Sequence, residues 1–261
     1  MKNPSAVVPA EMHDAFAALR AAAREHEPTS WWLQQTELTT LGYEAIVAEI
    51  TRHLETEHPM GDARLLDWGA GPGFTTFMFE RAGVSCVYYD FKYDFPSYRH
   101  VLDQLDSQKV YISDEKTRLP FDDESFDCVV SCGVLEHVPD PEGSISEIMR
   151  VLRPGGVLFI YHFPNRYSYT EALAGVIGQD NHEVRWSKRE LTRKLTAAGF
   201  GIEWFDYRYM IPRNLVSFPR VRDFFSRHAP ALYRFDRHLS RIPGLNAISN
   251  ALNCMARKPG A

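Results

Sequence analysis

An α/β protein built on a mostly parallel sheet is the fold this sequence predicts, and three stretches predict it. Leu65-Leu66-Asp67-Trp68-Gly69-Ala70-Gly71-Pro72-Gly73-Phe74 runs from an apolar strand through an acid into a glycine-rich turn, which Thr75-Thr76-Phe77-Met78-Phe79 continues as a helix. From Arg64 onward, strand-length apolar runs alternate with helical ones, the pattern of a sheet with helices on both faces. The apolar run Val84-Ser85-Cys86-Val87-Tyr88-Tyr89 is closed by an acid, Asp90.

Each element has its own reason. Residues from about Glu11 to Glu25 are rich in Ala, Arg and Glu and read as a helix that Pro28 ends. A second helix is expected from roughly Leu38 to Glu57, with Leu41, Ile46, Val47, Ile50 and Leu54 on related turns. Trp31 and Trp32 stand between them, either to roof a pocket or to pack an extension. Residues 1–60 are therefore expected to form an N-terminal helical extension or cap, and 61–261 the main domain. In that domain, strand one is about Arg64 to Trp68 and its helix Phe74 to Ala82, with Gly83 as C-cap. Strand two is Val84 to Tyr89, strand three Lys109 to Ser113 and strand four Phe126 to Cys132. A helix follows in which Ile145, Ile148, Met149 and Leu152 make one apolar stripe, and then a strand from Val157 to Phe163. Ser187-Lys188-Arg189-Glu190 is a capping box that opens a helix with Leu191, Leu195 and Ala198 inward, closed by Gly199. Ile202 to Tyr209 and Asn250 to Ala256 read as the last two strands.

Composition narrows the class of protein. With 261 residues and 44% hydrophobic content, the chain can bury one large core. A net charge of −5 argues against binding nucleic acid through the whole surface. The first nine residues are too short an apolar run for a signal peptide, and no stretch reaches the ~18 apolar residues of a spanning helix. A cytoplasmic protein is expected, with Cys86, Cys128, Cys132 and Cys254 as small buried thiols rather than disulfides or metal ligands.

The turn itself is specific. A dinucleotide fingerprint wants Gly or Ala where this chain has Phe74, so Asp67-Trp68-Gly69-Ala70-Gly71-Pro72-Gly73 fits it poorly. With the acid in front, D-x-G-x-G-x-G resembles motif I of the class I S-adenosylmethionine-dependent methyltransferases. Two further runs are similar to the small-molecule branch of that family, which includes the quinone-ring enzymes. They are Leu119-Pro120-Phe121 through Ser125-Phe126-Asp127 to Leu135-Glu136-His137-Val138, and Arg150-Val151-Leu152-Arg153-Pro154-Gly155-Gly156. The resemblance covers about Arg64 to Phe163. It implies a Rossmann-like seven-stranded, mostly parallel sheet whose seventh strand is antiparallel and slots between the fifth and sixth.

It also implies a cofactor, S-adenosyl-L-methionine, and residues to hold it. Asp67, Gly69, Ala70, Gly71 and Gly73 follow with the motif, and Asp90 stands where the family places the acid that binds the ribose hydroxyls. Asp114 or Glu115 would meet the adenine, and Cys132, ending strand four, is grouped with these residues. No metal is expected. The acceptor is a small molecule, with a hydroxyl of a sugar-containing, glycan-linked or secondary-metabolite compound leading. Methylation of a quinone or aromatic carbon, methylation of nitrogen, and a scaffold that only binds the cofactor are the alternatives. A hydroxyl needs its proton taken, and a neutral His suits that task. His137, just past strand four, and His162, ending strand five, are the two candidate bases, while Tyr161, Arg166, Tyr167 and His182 are candidate acceptor contacts.

Between strands six and seven lies an insertion, about 212–249, in which Arg213, Arg220, Arg222, Arg227, Arg234, Arg237 and Arg241 face few acids, only Asp223 and Asp236. Leu215, Phe218, Phe224, Phe225, Leu232, Tyr233 and Phe235 are interleaved with them. Two readings stand: a lid or dock for an anionic, carrier-linked acceptor, or a homodimer interface or peripheral membrane foot.

Overall fold

The computed structural model describes residues 10–26, 37–58, 62–91, 99, 101–115, 117–176, 182–212 and 219–260. Trp31, Trp32, Arg213, Leu215 and Phe218 lie outside them. Two compact units divide the chain, one of Met1–Ile112 with Arg213–Tyr233, the other of Ser113–Pro212 with Arg234–Ala261.

The first unit carries helices α1 (Ala10–His26), α2 (Glu37–Glu57) and α3 (Phe74–Arg81), strands β1 (Arg64–Trp68) and β2 (Ser85–Phe91), most of β3 (Val110–Ser113), and helix α7 (Pro219–Arg227). The second carries β4 (Phe126–Cys132), α4 (Pro141–Val151), β5 (Leu152–Pro164), α5 (Tyr169–Val176), α6 (Lys188–Ala197), β6 (Gly201–Arg208) and β7 (Ala251–Arg257). Helix α8 (Ala229–Leu239) crosses the boundary. The strands follow the order β3-β2-β1-β4-β5-β7-β6, and β7 alone is antiparallel to its neighbours β5 and β6. The Rossmann-like expectation holds.

In the first unit, β1 runs parallel to β2 from Arg64↔Ser85 to Trp68↔Tyr89. Leu65, Leu66, Cys86 and Val87 are buried with Phe77, Met78 and Phe79 of α3. A fully buried side chain of this size stabilises by about 1.5–3 kcal/mol, which makes these runs the anchor of the turn they flank. Ile46, Val47, Ile50 and Leu54 of α2 are buried at helical spacing. Phe16 of α1 packs edge-on against Phe74, with ring centroids 5.2 Å apart.

The tie between α1 and α2 is ionic. His13 Nδ1 lies 2.7 Å from Oε1 of the buried Glu44, and Glu37 is 3.6 Å from Nε2. The hydrogen bond to Glu44 raises the His13 pKa above its ordinary value, with Glu37 and Asp14 adding in the same direction. A raised His contributes stability that is fully present below its unfolded pKa of about 6.5 and is lost as pH rises through the higher folded value. Hydrogen exchange of α1, corrected for intrinsic rate, should accelerate between pH 6 and 8 by more than it does in Glu44→Gln. An equal change in both would remove His13 from the account.

In the second unit, Asp140 caps α4 by accepting the Gly143 N–H at 2.9 Å, with Pro141 in the first turn. The capping box of α6 forms as expected: Ser187 Oγ accepts from Glu190 N and the Glu190 carboxylate from Ser187 N. Leu152 departs from expectation. It ends the helix in extended conformation and opens β5, pairing with Phe126, so it is not part of the helical stripe. The whole Leu152–Pro164 stretch is one strand, with a register shift between Phe126 and Cys128.

Gly156 is where this strand start is tightest. A Cβ there would sit 2.8 Å from the Arg153 carbonyl oxygen and 3.1 Å from that of Asp127. Both are backbone atoms, so Gly156→Ala should lower unfolding free energy by about 1–3 kcal/mol. Urea denaturation reads the change, and an unaltered midpoint would show that the strand start can shift.

Candidate functional site

The glycine turn is held from both sides in the first unit. Asp67 is buried, and its Oδ2 accepts the hydroxyls of Thr75 and Thr76 at 2.7 Å each. Burial pushes this carboxyl up to about 6, and the two hydroxyls oppose the rise. Its hydrogen bonds brace the start of α3. Gly69, Gly71 and Gly73 all have left-handed backbone, with φ of 72°, 55° and 79°, which a Cβ would strain. Among the described residues a Cβ on Gly71 would meet nothing within 4 Å, so that face of the turn is open there. The N–H groups of Gly69 and Ala70 donate to the Tyr89 carbonyl at 2.9 and 3.1 Å.

Asp90, near the end of β2, is 3% exposed. Its Oδ2 accepts the Gly71 N–H and its Oδ1 the Phe91 N–H, the latter at 2.6 Å. The Tyr88 hydroxyl donates to the Gly71 carbonyl at 2.8 Å. A carboxylate has about four acceptor positions and these bonds use two, leaving capacity for a vicinal diol. Burial lifts the Asp90 pKa to about 6.

The second unit holds the other candidates. Asp114 and Glu115 are exposed beyond β3, and the Glu115 N–H donates to Ser113 Oγ at 3.0 Å. His162 sits in β5 with φ of 62°, a left-handed conformation outside glycine. Tyr209, just after β6, has φ of 65°. Each such residue costs of order 1–3 kcal/mol and persists only where its surroundings enforce it. These two are hydrogen-bonded to each other, Tyr209 Oη to His162 Nε2. Cys132 Sγ lies 3.7 Å from His162 Nδ1, and the His162 N–H donates to Asn253 Oδ1 at 2.9 Å. The structure thus gathers Cys132 and His162, and adds Tyr209 and Asn253.

A second cluster gathers His137 and His182. Their rings are 5.4 Å apart, and His137 Nε2 lies 3.9 Å from Oε1 of the buried Glu136. His182 Nδ1 pairs with Glu171 Oε1 at 3.1 Å, and Arg185 stands 3.7 Å from the other Glu171 oxygen. The Glu171 hydrogen bond raises the His182 pKa, whereas burial and then the His182 charge lower that of His137. Burial pushes Glu136 up to about 7.

The remaining candidates are dispersed. Tyr161 is 1% exposed and stacks on Phe159 beside Trp204, with centroids 6.0 and 6.3 Å away. Arg166 pairs with Glu190 at 2.7 Å, and Tyr167 is exposed. In the insertion, Phe224 and Phe235 are exposed, whereas Asp236 is buried and accepts the Ile211 N–H at 2.7 Å. One of the two acids expected beside the arginines is therefore turned inward. Among the described residues no helix is long and apolar enough to cross a membrane.

Sequence reasoning missed Tyr209, Asn253 and Glu171 because they lie 47, 91 and 11 positions from the histidines they bond. Only the last distance falls within a local window.

Fold and turn define a Rossmann-like α/β protein with a glycine-rich loop after its first strand. The methyltransferase-domain family matches residues 66–160. An uncharacterised methyltransferase of Mycobacterium sp. (strain JLS) is 38% identical over 113 residues, 43% of this chain, and the match spans 43% of that relative's length. Another, from Mycobacterium tuberculosis (strain ATCC 25618 / H37Rv), is 30% identical over 196 residues, covering 74% of this chain and 77% of the relative. Among solved structures, the 1,6-didemethyltoxoflavin-N1-methyltransferase of Burkholderia thailandensis has bound 1,6-didemethyltoxoflavin and S-adenosylhomocysteine. It is similar in fold, with a TM-score of 0.55 and 20% identity over 99% of this chain and 93% of that one. The chain belongs to the class I S-adenosylmethionine-dependent methyltransferases.

Proposed function

We propose that this protein transfers a methyl group from S-adenosylmethionine to a hydroxyl oxygen of a small-molecule acceptor. One observation carries the reading: the buried Asp90 carboxylate takes the Gly71 N–H and, among the described residues, keeps acceptor positions free at the open face of the glycine turn. An uncharged diol matches those free positions, and the left-handed glycines let its carrier approach the backbone. The residues of the first unit therefore fit an adenosyl cofactor, with Asp90 on the ribose, Gly69, Ala70, Gly71 and Gly73 lining the loop, and Asp67 bracing it. When bound, S-adenosylmethionine supplies an electrophilic methyl on a sulfonium. The protein orients the acceptor, excludes water and removes a proton. Holding two reactants in line can supply on the order of 7–11 kcal/mol of the barrier.

His162 is the base in this reading. In the neutral tautomer that leaves Nε2 bare, the Tyr209 hydroxyl donates to it, and a proton reaching Tyr209 Oη from an acceptor can be relayed to His162 Nε2. This Tyr–His pair fits an oxygen acceptor, whose hydroxyl proton must leave as the methyl arrives.

Calorimetry with S-adenosylhomocysteine tests the donor site, with one molecule per chain expected. Tritiated-methyl transfer to a panel of phenols, sugars and amines tests the acceptor class. No binding would end the proposal, and transfer to amines alone would remove the oxygen assignment while leaving the donor site.

A further inference from the structure

We propose that Glu136, His137 and His182 form a binding site for one divalent first-row transition ion of the zinc class. Each offers one ligand atom, and these atoms all lie within 4.8 Å of one another. Zinc bonds to nitrogen and carboxylate oxygen are about 2.0–2.2 Å, so tetrahedral ligands stand roughly 3.4 Å apart. Side-chain rotation of about an ångström closes the set.

Two independent observations point to a cation. The Glu136 side chain is 3% exposed, and its Oε2 is buried with no hydrogen-bond partner among the described residues. An orphaned buried carboxylate oxygen is costly, and a metal ion would satisfy it. The second is the outer partner of His182. Glu171 takes Nδ1, which fixes the tautomer and leaves Nε2 to ligate, the carboxylate–histidine arrangement that supports metal-bound imidazoles. Arg185 in turn pairs with Glu171.

The backbone prepares the site. Glu136 and His137 share the turn after β4, which the His137 N–H to Val134 carbonyl bond closes at 2.8 Å, and His182 precedes α6. Two imidazoles and one carboxylate suit zinc, cobalt, nickel or iron(II) better than magnesium or calcium, which prefer all-oxygen sets. Three protein ligands leave a coordination position for water or for an oxygen of a ligand. The site does not depend on the methyl-transfer reading, because none of its residues belongs to the glycine turn or to the His162–Tyr209 pair.

The test uses the full chain, stripped with EDTA, exchanged into metal-free buffer and titrated with Co²⁺. One Co²⁺ per chain with strong visible d–d absorption is expected, displaced by one equivalent of Zn²⁺. His137→Ala, on an exposed side chain, should weaken Co²⁺ binding at least about tenfold, and Glu136→Gln at least as much. Glu171→Gln should weaken it by about 10–100-fold through His182. Circular dichroism and S-adenosylhomocysteine calorimetry on the same samples report folding and the donor site separately. Weak absorption of the hexaaqua type, or Co²⁺ affinity unchanged in His137→Ala, overturns the proposal even where the donor still binds.

Discussion

Asp90→Ala is expected to weaken S-adenosylhomocysteine binding about 100-fold, a loss of about 2.7 kcal/mol. Two things go at once. Charge-assisted hydrogen bonds from a ribose diol, worth about 1.5–3 kcal/mol, have no acceptor, and the Gly71 N–H loses the carboxylate that holds the turn. Asp90→Asn should fall between, because it keeps one acceptor oxygen but no charge. The sign with pH follows from burial. The free-protein carboxyl titrates at about 6, so affinity should fall as pH drops through that value and be flat above it. Calorimetry at pH 5 and 8 measures both effects. Equal affinity in wild type and Asp90→Ala would leave the glycine turn without its proposed ligand.

His162→Asn is expected to lower turnover by about 10²–10⁴-fold while leaving S-adenosylhomocysteine affinity nearly unchanged. Asparagine is the informative replacement because it tolerates the left-handed backbone that His162 occupies at φ 62°. His162→Gly removes the strain altogether, so its unfolding midpoint in urea should not drop, even though the imidazole is lost. A fall in turnover with unfolding intact separates chemistry from folding. Tyr209→Phe then tests the relay. The alkaline rise of the pH–rate profile should shift, whereas a purely structural Tyr209 would change amplitude alone. Turnover in His162→Asn within a few-fold of wild type would dismiss the base.

Much of this was legible in the primary structure, for particular reasons. The bounds of β1 and β4 could be read because their apolar runs are buried on both faces and end abruptly at a glycine or a polar residue. The α6 capping box was readable because its hydrogen bonds lie within four residues. Leu152 was misplaced because its apolar character serves a helix face or a strand equally, and pairing with Phe126 decides. The contact of the Tyr161 ring with Trp204 was out of reach of the sequence, because the two residues lie on different strands, β5 and β6.

By itself, the amino-acid sequence determined the α/β class, the D-x-G-x-G-x-G turn, the acid ending the second strand and the family they specify. These rest on contacts between near neighbours in the chain or on hydrophobic periodicity, both of which are local. Tertiary structure alone decided that Asp67 is occupied by threonine hydroxyls, that Tyr209 and Asn253 hold His162, and that His137 and His182 meet beside Glu136, whose Oε2 has no hydrogen-bond partner among the described residues. Most of those pairings join residues far apart in the chain. A hydrogen bond requires about 3 Å of approach, which only the packed sheet provides.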